Sequence, residues 1–387
     1  MASLDQIESL YLHFPYCRHL CNYCDFYKKK SGPAEDIESF HQFLDKSFGV
    51  HQQLLREYQS EFVPLKTLYL GGGTPSLWGK KGADFLSNFF FKHDLKFSPD
   101  HEREVTLEVN PGTWTHQGLK AWRDFGVNRY SLGVQSLNSR FLKILDRVHS
   151  LNDVYQTLEA FAELKENFSV DFMLGLPFSE NFKRDILGEL EKILSFGPSH
   201  LSLYILTTPK GYIHHNSLPP DFWIEREYLD VCSLLAEHGF HHYEVSNFAL
   251  EGKESQHNIG YWQSRSIGAL GPSATGFLKT SKLRYRWNPS LNWTTKPHFR
   301  DYFELETLCD KELRLEELYL SLRTSRGVRL DDFCSHESES EALERMLKGW
   351  ISRELVSVQG ERVIATSKGF LLMDSLMNDL FSNVKSL

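Results

Sequence analysis

The chain has 387 residues, 41% hydrophobic and 24% charged, with a net charge of −8. That composition belongs to a folded globular protein with room for one large domain and a smaller one. The acidic balance excludes a basic nucleic-acid footprint, and no apolar run is long enough to predict a membrane span.

The first predicted strand is Leu10–Phe14, and Cys17, Cys21 and Cys24 follow it with the spacing C-x3-C-x2-C. Three thiolates this close can cap three corners of an iron–sulfur cubane, leaving the fourth iron open to a small molecule. An electron-transfer [4Fe–4S] cluster takes four cysteines instead. Structural zinc, which needs four N or S ligands, stays open with His13 or His19 as the fourth. No secretory signal peptide is evident, so the expected compartment is the reducing cytoplasm and a disulfide is not expected. Cys232, Cys309 and Cys334 stand singly and read as ordinary residues. Lys28–Lys30 and Lys80–Lys81 read as solvated surface, and the 28 Phe, 16 Tyr and 8 Trp suit either a large core or a flat apolar ligand.

Further strands are predicted at Thr67–Leu70, Val105–Val109, Arg129–Val134, Val170–Leu174 and Leu201–Leu206, with helical stretches near 35–58, 77–93, 115–125, 138–164 and 181–195. This alternation predicts an α/β fold with a parallel sheet, a partial (β/α)6 TIM-like barrel. A helix at 222–238 and a strand at 241–246 extend the sheet or close its edge.

Chemistry in such barrels sits at the C-terminal strand ends. Five distinctive segments fall there: the cysteine triad, Gly71-Gly72-Gly73-Thr74-Pro75, Asn110-Pro111-Gly112, Gln135, and Leu174-Gly175-Leu176-Pro177. The glycine run lets backbone N–H and C=O groups approach a ligand closely and hold the two ends of an amino acid. Glu108 and Asp171 lie within apolar strands, where a carboxylate needs a partner. Asp171 paired with Arg147 is one reading. The other is a polar shell of Glu108, Gln135, Arg147 and Asp171 around a nucleoside and an α-amino acid.

From about 286 the pattern changes: 286–310 reads as an irregular linker. Residues 311–387 read as helix, helix (338–353), a hairpin at Gln359-Gly360 and a last helix (367–381), the order of a small winged-helix-like α+β domain. With 11 Lys/Arg against 13 Asp/Glu, this unit has no basic face for phosphates and reads as a packing or protein-interaction module.

Taken together, these segments resemble the radical S-adenosylmethionine (SAM) superfamily and, within it, the HemN/HemW group. The similarity runs from Tyr11-Leu-His-Phe-Pro-Tyr-Cys17 through Gly71–Ser76, Glu108–Gly112, Ser131–Ser136 and Asp171–Pro177 to Ser202–Thr207. It implies a domain over 1–285 with a [4Fe–4S] cluster on Cys17, Cys21 and Cys24, and SAM on the fourth iron. Tyr11, Gly72, Gly73, Thr74, Glu108, Gln135, Arg147 and Asp171 are implied to line the SAM site, with Tyr23 and Ile205 as minor contributors. Electron transfer from the cluster to SAM, yielding a 5′-deoxyadenosyl radical, implies a reductant such as a flavodoxin or ferredoxin.

Two branches of the group differ. The oxygen-independent coproporphyrinogen III oxidases carry a further cysteine two positions after the third, where this chain has Phe26, and an N-terminal extension. The heme-chaperone branch carries His-Asn-x-x-Tyr-Trp, present here as His257-Asn258-Ile259-Gly260-Tyr261-Trp262. That motif implies heme contact by His257, Asn258, Tyr261 and Trp262 and transfer of heme to acceptor proteins. His214, His215, His241 and His242 remain as other axial ligands, and Gly268–Ser273 is expected to close over the same end.

Overall fold

The computed structural model describes residues 4–32, 34–99, 103–289, 299–329 and 337–383. Cys334 and 290–298, within the expected linker, lie outside them.

Strand β1 (Asp5–Phe14) leads into the cysteine loop, whose base is a short parallel ladder of β2 (Tyr16–Cys17) with β3 (Lys29–Lys30). Then come α1 (Ala34–Glu57), β4 (Ser60–Gly72), α2 (Gly79–Lys92), β5 (Glu104–Val109), α3 (His116–Phe125) and β6 (Arg129–Gln135). The series continues with α4 (Ser139–Ile144), α5 (Leu151–Glu163), β7 (Phe168–Leu174), α6 (Ile186–Leu194), β8 (His200–Ile205) and α7 (Asp221–Glu237). After these lie β9 (His241–Glu244), β10 (Asn247–Ala249), α8 (Gln256–Trp262) and β11 (Gly268–Leu270).

Nine of these strands form one sheet in the order β11-β1-β4-β5-β6-β7-β8-β10-β9. Every pairing from β11 to β8 is parallel, as the alternation of strands and helices predicts. Buried Leu10, Leu12, Leu68, Leu70, Val105, Leu107, Leu132, Val134, Val170, Phe172 and Leu201 run through the strands, and Phe40, Leu86, Trp122, Phe161 and Val231 on the helices cover them. Near-continuous apolar strands are what a sheet covered on both faces requires.

Several elements differ from expectation. The helix over 138–164 is two helices, because Asp146 takes a positive φ of 54° and Ser150 caps the second with a reciprocal capping box to Asp153. β9 does not pair with β8; β10 lies between them, antiparallel to both. Gly268–Leu270 is strand β11 beside β1, so the turn after it lies at the C-terminal end of the strands. At Gly271 any Cβ would fall 2.4 Å from the His13 carbonyl oxygen. The expected linker is partly strand: β14 (Phe303–Thr307) lies within it and pairs antiparallel with β13 (Leu283–Trp287), which reaches its start and pairs antiparallel with β12 (Thr275–Leu278) before it. Buried Tyr285, Trp287 and Phe303 anchor these strands to the main core.

The C-terminal unit comprises α9 (Asp310–Leu322), α10 (Glu337–Ser352), the hairpin β15 (Val356–Gln359) and β16 (Arg362–Ala365), α11 (Ser367–Leu371) and α12 (Met373–Asn383). It has its own apolar cluster, including Leu318, Leu322, Trp350, Phe370 and Leu376. The unit docks on the antiparallel edge of the sheet. Val245 N–H donates to the Arg323 carbonyl at 2.9 Å, Ser325 N–H donates to the Tyr243 carbonyl at 2.9 Å, and the His242 ring packs on Phe370 at 4.7 Å. No helix among the described residues is long and apolar enough to cross a membrane.

Candidate functional site

The C-terminal strand ends form the mouth of the barrel, and the cysteine loop lies across it. Cys17, Cys21 and Cys24 line a cavity of about 130 Å³ together with Gly72, Gly73, Thr74, Asn110 and Arg147. All three thiols are free. Burial pushes the Cys17 and Cys21 thiols up, while the Thr74 hydroxyl, 3.6 Å from Cys17 Sγ, and the Arg147 guanidinium beside Cys21 pull them down. The net direction is up for both thiols, so the hydroxyl and the cation only partly offset burial, and bound iron would draw the thiols to the thiolate form that ligates metal. The triad thus fits a cluster.

It does not fit one zinc ion completed by a nearby histidine. His13 is engaged at both ring nitrogens, 3.0 Å from Tyr11 Oη and 2.9 Å from the Tyr27 carbonyl oxygen, and His19 Nε2 lies 2.7 Å from Asp146 Oδ2. Among the described residues no three His, Cys, Asp or Glu side chains converge on a single metal ion.

The glycine run seats the cysteine loop. Gly73 N–H donates to the Phe14 carbonyl at 2.7 Å and Thr74 N–H to the Tyr16 carbonyl at 2.8 Å. A Cβ on Gly73 would lie 2.6 Å from the Tyr16 oxygen, so only glycine permits this approach. Gly72 N–H is also taken, by Glu108 Oε2 at 3.1 Å. The expectation that N–H groups here hold a carboxylate is therefore corrected. These donors are spent on the loop and on Glu108, and the run can offer a ligand its carbonyl oxygens, which suit an ammonium.

Arg147 is the buried cation of the mouth. Its Nη2 donates to Asn110 Oδ1 at 2.6 Å and to the Gly133 carbonyl at 2.8 Å, and its Nη1 to Tyr23 Oη at 3.3 Å. The expected pairing of Arg147 with Asp171 is absent: Asp171 accepts from Ser131 Oγ at 2.9 Å. Burial lifts Asp171 to about 6, and burial together with Asp171 lifts Glu108 to about 7. Glu108 also accepts from Tyr69 Oη at 3.1 Å. Gln135 ends β6 with a φ of 71°, and Ile205 ends β8 beside Gly175. Tyr11, Gly72, Gly73, Thr74, Glu108, Gln135, Arg147 and Asp171 thus come from β1, β4, β5, β6, the segment after α4 and β7, and most converge around the mouth.

Asn110 joins this group although its residue type alone gave it no role. Its side chain bridges Arg147 and the Thr74 hydroxyl, to which it donates at 2.9 Å. The available signal was its place directly after strand Glu104–Val109, in a segment already read as converging on the mouth.

The second motif lies elsewhere. His257 is 1% exposed, with Nδ1 2.8 Å from Thr67 Oγ1 and its ring stacked on Tyr69 at 5.2 Å. Thr67 is five residues before Gly72 on β4, about 16 Å at 3.3 Å per residue, so His257 sits at the opposite end of the barrel from the thiols. Glu104 holds α8 there, its carboxylate accepting from the backbone N–H groups of Gln256 and His257 at 2.9 and 3.0 Å, a favourable charge at a helix N-terminus. Ser255 caps the same helix. His257 Nε2 is buried without a partner among the described residues. Tyr261 meets His257 edge to face, Asn258 is half-buried, and Trp262 with Ile259 borders a cavity of about 420 Å³ against Arg326 and Arg362 of the C-terminal unit.

Comparison with known proteins gives a consistent picture. Residues 11–186 match the family model of the radical SAM superfamily. The chain is 32% identical to a protein named heme chaperone HemW from Lactococcus lactis, over 95% of this chain and 96% of that one. It is 31% identical to radical S-adenosyl methionine domain-containing protein 1, mitochondrial, of Bos taurus, over 98% and 88%. Among solved structures, coproporphyrinogen III oxidase (HemN) of Escherichia coli superposes with a TM-score of 0.76 over 97% of this chain and 90% of that one, at 19% identity, a likeness of fold.

Proposed function

The chain belongs to the HemW family of the radical SAM superfamily, and from that premise we propose that it is a heme chaperone, binding heme and passing it to acceptor proteins. Similarity to HemW relatives over nearly the whole chain carries this reading. Radical SAM membership implies a [4Fe–4S] cluster and SAM. Cys17, Cys21 and Cys24 would hold the cluster. Bound together, the two cofactors supply one-electron cleavage of a carbon–sulfur bond.

The chain's own residues do the positioning. The carbonyls of Gly72 and Gly73 would receive an ammonium, Arg147 would supply the cation for a carboxylate, and Glu108 and Asp171 would accept from hydroxyls. Tyr11, Thr74, Gln135, Tyr23 and Ile205 complete the walls. The free cysteines suit a reducing, cytoplasm-like compartment, and the reductant is a flavodoxin- or ferredoxin-type protein.

The heme motif adds a condition. Trp262 borders an open cavity, whereas His257 faces inward, so iron ligation by His257 requires α8 to leave the base of the barrel.

The second reading, a coproporphyrinogen III oxidase, draws on the HemN-like fold. Against it, the position where the oxidases carry another cysteine holds Phe26, which is 73% exposed to solvent. Anaerobic reconstitution followed by heme titration, with and without SAM and coproporphyrinogen III, separates the two. Stoichiometric heme binding without loss of propionate carboxyls is the expected result. Decarboxylation would make the protein an oxidase.

A further inference from the structure

The lysine run Lys28–Lys30 and the exposed Phe26 hold no ligand in the site described above, yet both belong to the loop that carries the thiols. From Cys17 to Lys30 the chain places four cations, Arg18, Lys28, Lys29 and Lys30, against one carboxylate, Asp25, in a protein whose net charge is −8. The fold keeps these cations at the cavity. Arg18 and Lys28 line it together with the three cysteines, and Arg18 Nη1 donates to the Gly112 carbonyl at 2.8 Å. Lys28 Nζ donates to the Cys24 carbonyl. Lys30 is exposed and pairs with Cys17 in the β2–β3 ladder, where Ser31 N–H donates to the Cys17 carbonyl at 2.7 Å. The carboxylates nearby are engaged: Asp146 lies 2.7 Å from His19 Nε2, and Asp153 accepts from Ser150 N–H at 2.7 Å.

Apolar side chains stand exposed among the cations. Phe26, two residues after Cys24, is 73% exposed, and Leu20, next to Cys21, is 42% exposed. Val148, 61% exposed, lines the same cavity as Arg18, Lys28 and the thiols. The loop is pinned between them: the Tyr27 carbonyl lies 2.9 Å from His13 Nε2, and the Tyr27 hydroxyl donates to the Pro289 carbonyl at 3.1 Å. Aromatic and arginine side chains anchor protein interfaces, and surrounding charge steers the encounter. Electron transfer weakens steeply with distance. A protein that reduces a cluster held by Cys17, Cys21 and Cys24 must therefore come against this loop, where Cys21 and Cys24 are only half-buried.

We propose that the cysteine loop is the docking surface for the electron donor, an acidic one-electron carrier protein whose carboxylates meet Arg18 and Lys30 and whose apolar surface meets Phe26 and Leu20. The inference rests on the radical SAM reading, which calls for a reductant, and adds where that protein binds and by what chemistry. One electron leaves the donor, which is oxidised, and enters the cluster, which is reduced; no bond of this chain forms or breaks.

The test is calorimetric titration of the reconstituted full chain with an oxidised acidic flavodoxin and with an oxidised plant-type ferredoxin, at low and high salt. Cluster reduction by each reduced donor and by dithionite is followed separately. The variants are Phe26→Asp and Lys30→Glu, with Phe91→Asp as control, since Phe91 is exposed in the last turn of α2, away from the mouth. All three alter exposed side chains, and cluster content serves as the folding control. Wild type is expected to bind at least one donor, more weakly as salt rises. Lys30→Glu is expected to weaken that binding at least about tenfold at low salt, and Phe26→Asp at least about tenfold at either salt. Both should slow reduction by the donor while dithionite reduces every variant to the wild-type extent, and Phe91→Asp should match wild type. Unchanged donor affinity in either loop variant, or an equal loss in Phe91→Asp, overturns the proposal and leaves the radical SAM reading standing. Loss of reduction by dithionite as well places the defect in the cluster and also overturns it, as does failure of wild type to bind either donor. A wild-type dimer that Phe26→Asp dissolves, with donor binding unchanged, assigns the face to a second copy of the chain and overturns it too. No cluster in reconstituted wild type overturns the radical SAM reading itself.

Discussion

The two ends of the barrel hold the two motifs, and they are built to opposite ends. At the mouth, Cys21 and Cys24 are partly open, a buried guanidinium stands beside a thiol, and loops from several strands converge on a cavity. At the base, α8 is capped by Ser255, tied to Glu104, and turns His257 into the core against Thr67 and Tyr69. Polar groups at the mouth face a space a ligand can fill. At the base they largely face one another, so a residue pattern associated with ligand binding can serve as a plug where the helix carrying it is fastened at its N-terminus.

The largest effect is expected at the mouth. Cys21→Ala removes one of three ligands and should abolish cluster absorbance and SAM cleavage after reconstitution; full iron and sulfide content in that variant would break the assignment. Arg147→Ala comes next, because it strands Asn110 Oδ1 and the Gly133 carbonyl and leaves a void. A loss of about 2–4 kcal/mol in denaturant unfolding of the apo-protein, together with weaker SAM binding, is expected.

Glu108 sharpens the contrast through pH. Burial and then Asp171 raise it from the ordinary 4.5 to about 7. Between those values the folded chain holds a proton that the unfolded chain has released. The associated stability is therefore fully present below about pH 4.5 and falls as pH rises through 7. Glu108→Gln should flatten this decline in the apo-protein by on the order of 2 kcal/mol. Parallel unfolding curves for both proteins from pH 5 to 8 would count against the raised carboxyl.

At the base, His257→Ala should cost least, about 1–3 kcal/mol for an unpaired Thr67 hydroxyl and a small cavity, with cluster content unchanged. Loss of the cluster in that variant would show that the two ends are coupled.

The chain order of the strands was legible because parallel strands covered on both faces must be apolar along their length, as in Leu68–Leu70 and Val170–Leu174. The triad was legible because its spacing is local chemistry, and Gly73 because a close backbone approach tolerates no Cβ. β11 and β14 were missed: Gly268–Leu270 carries no alternation and pairs with β1, more than 250 residues away in sequence, and Glu304-Leu305-Glu306 reads as surface until β13 lies beside it.

By itself the sequence determined which side chains bring metal, hydroxyl and carboxylate chemistry and the order of strands that present them, because these depend on residue type and short spacing. Only the tertiary structure decided that Asn110 bridges Arg147 and Thr74, that Asp171 takes Ser131 as its partner, and that His257 turns into the core against Thr67 and Tyr69. Partner choice and exposure depend on which distant segments pack together, and that is set by the burial of the whole core.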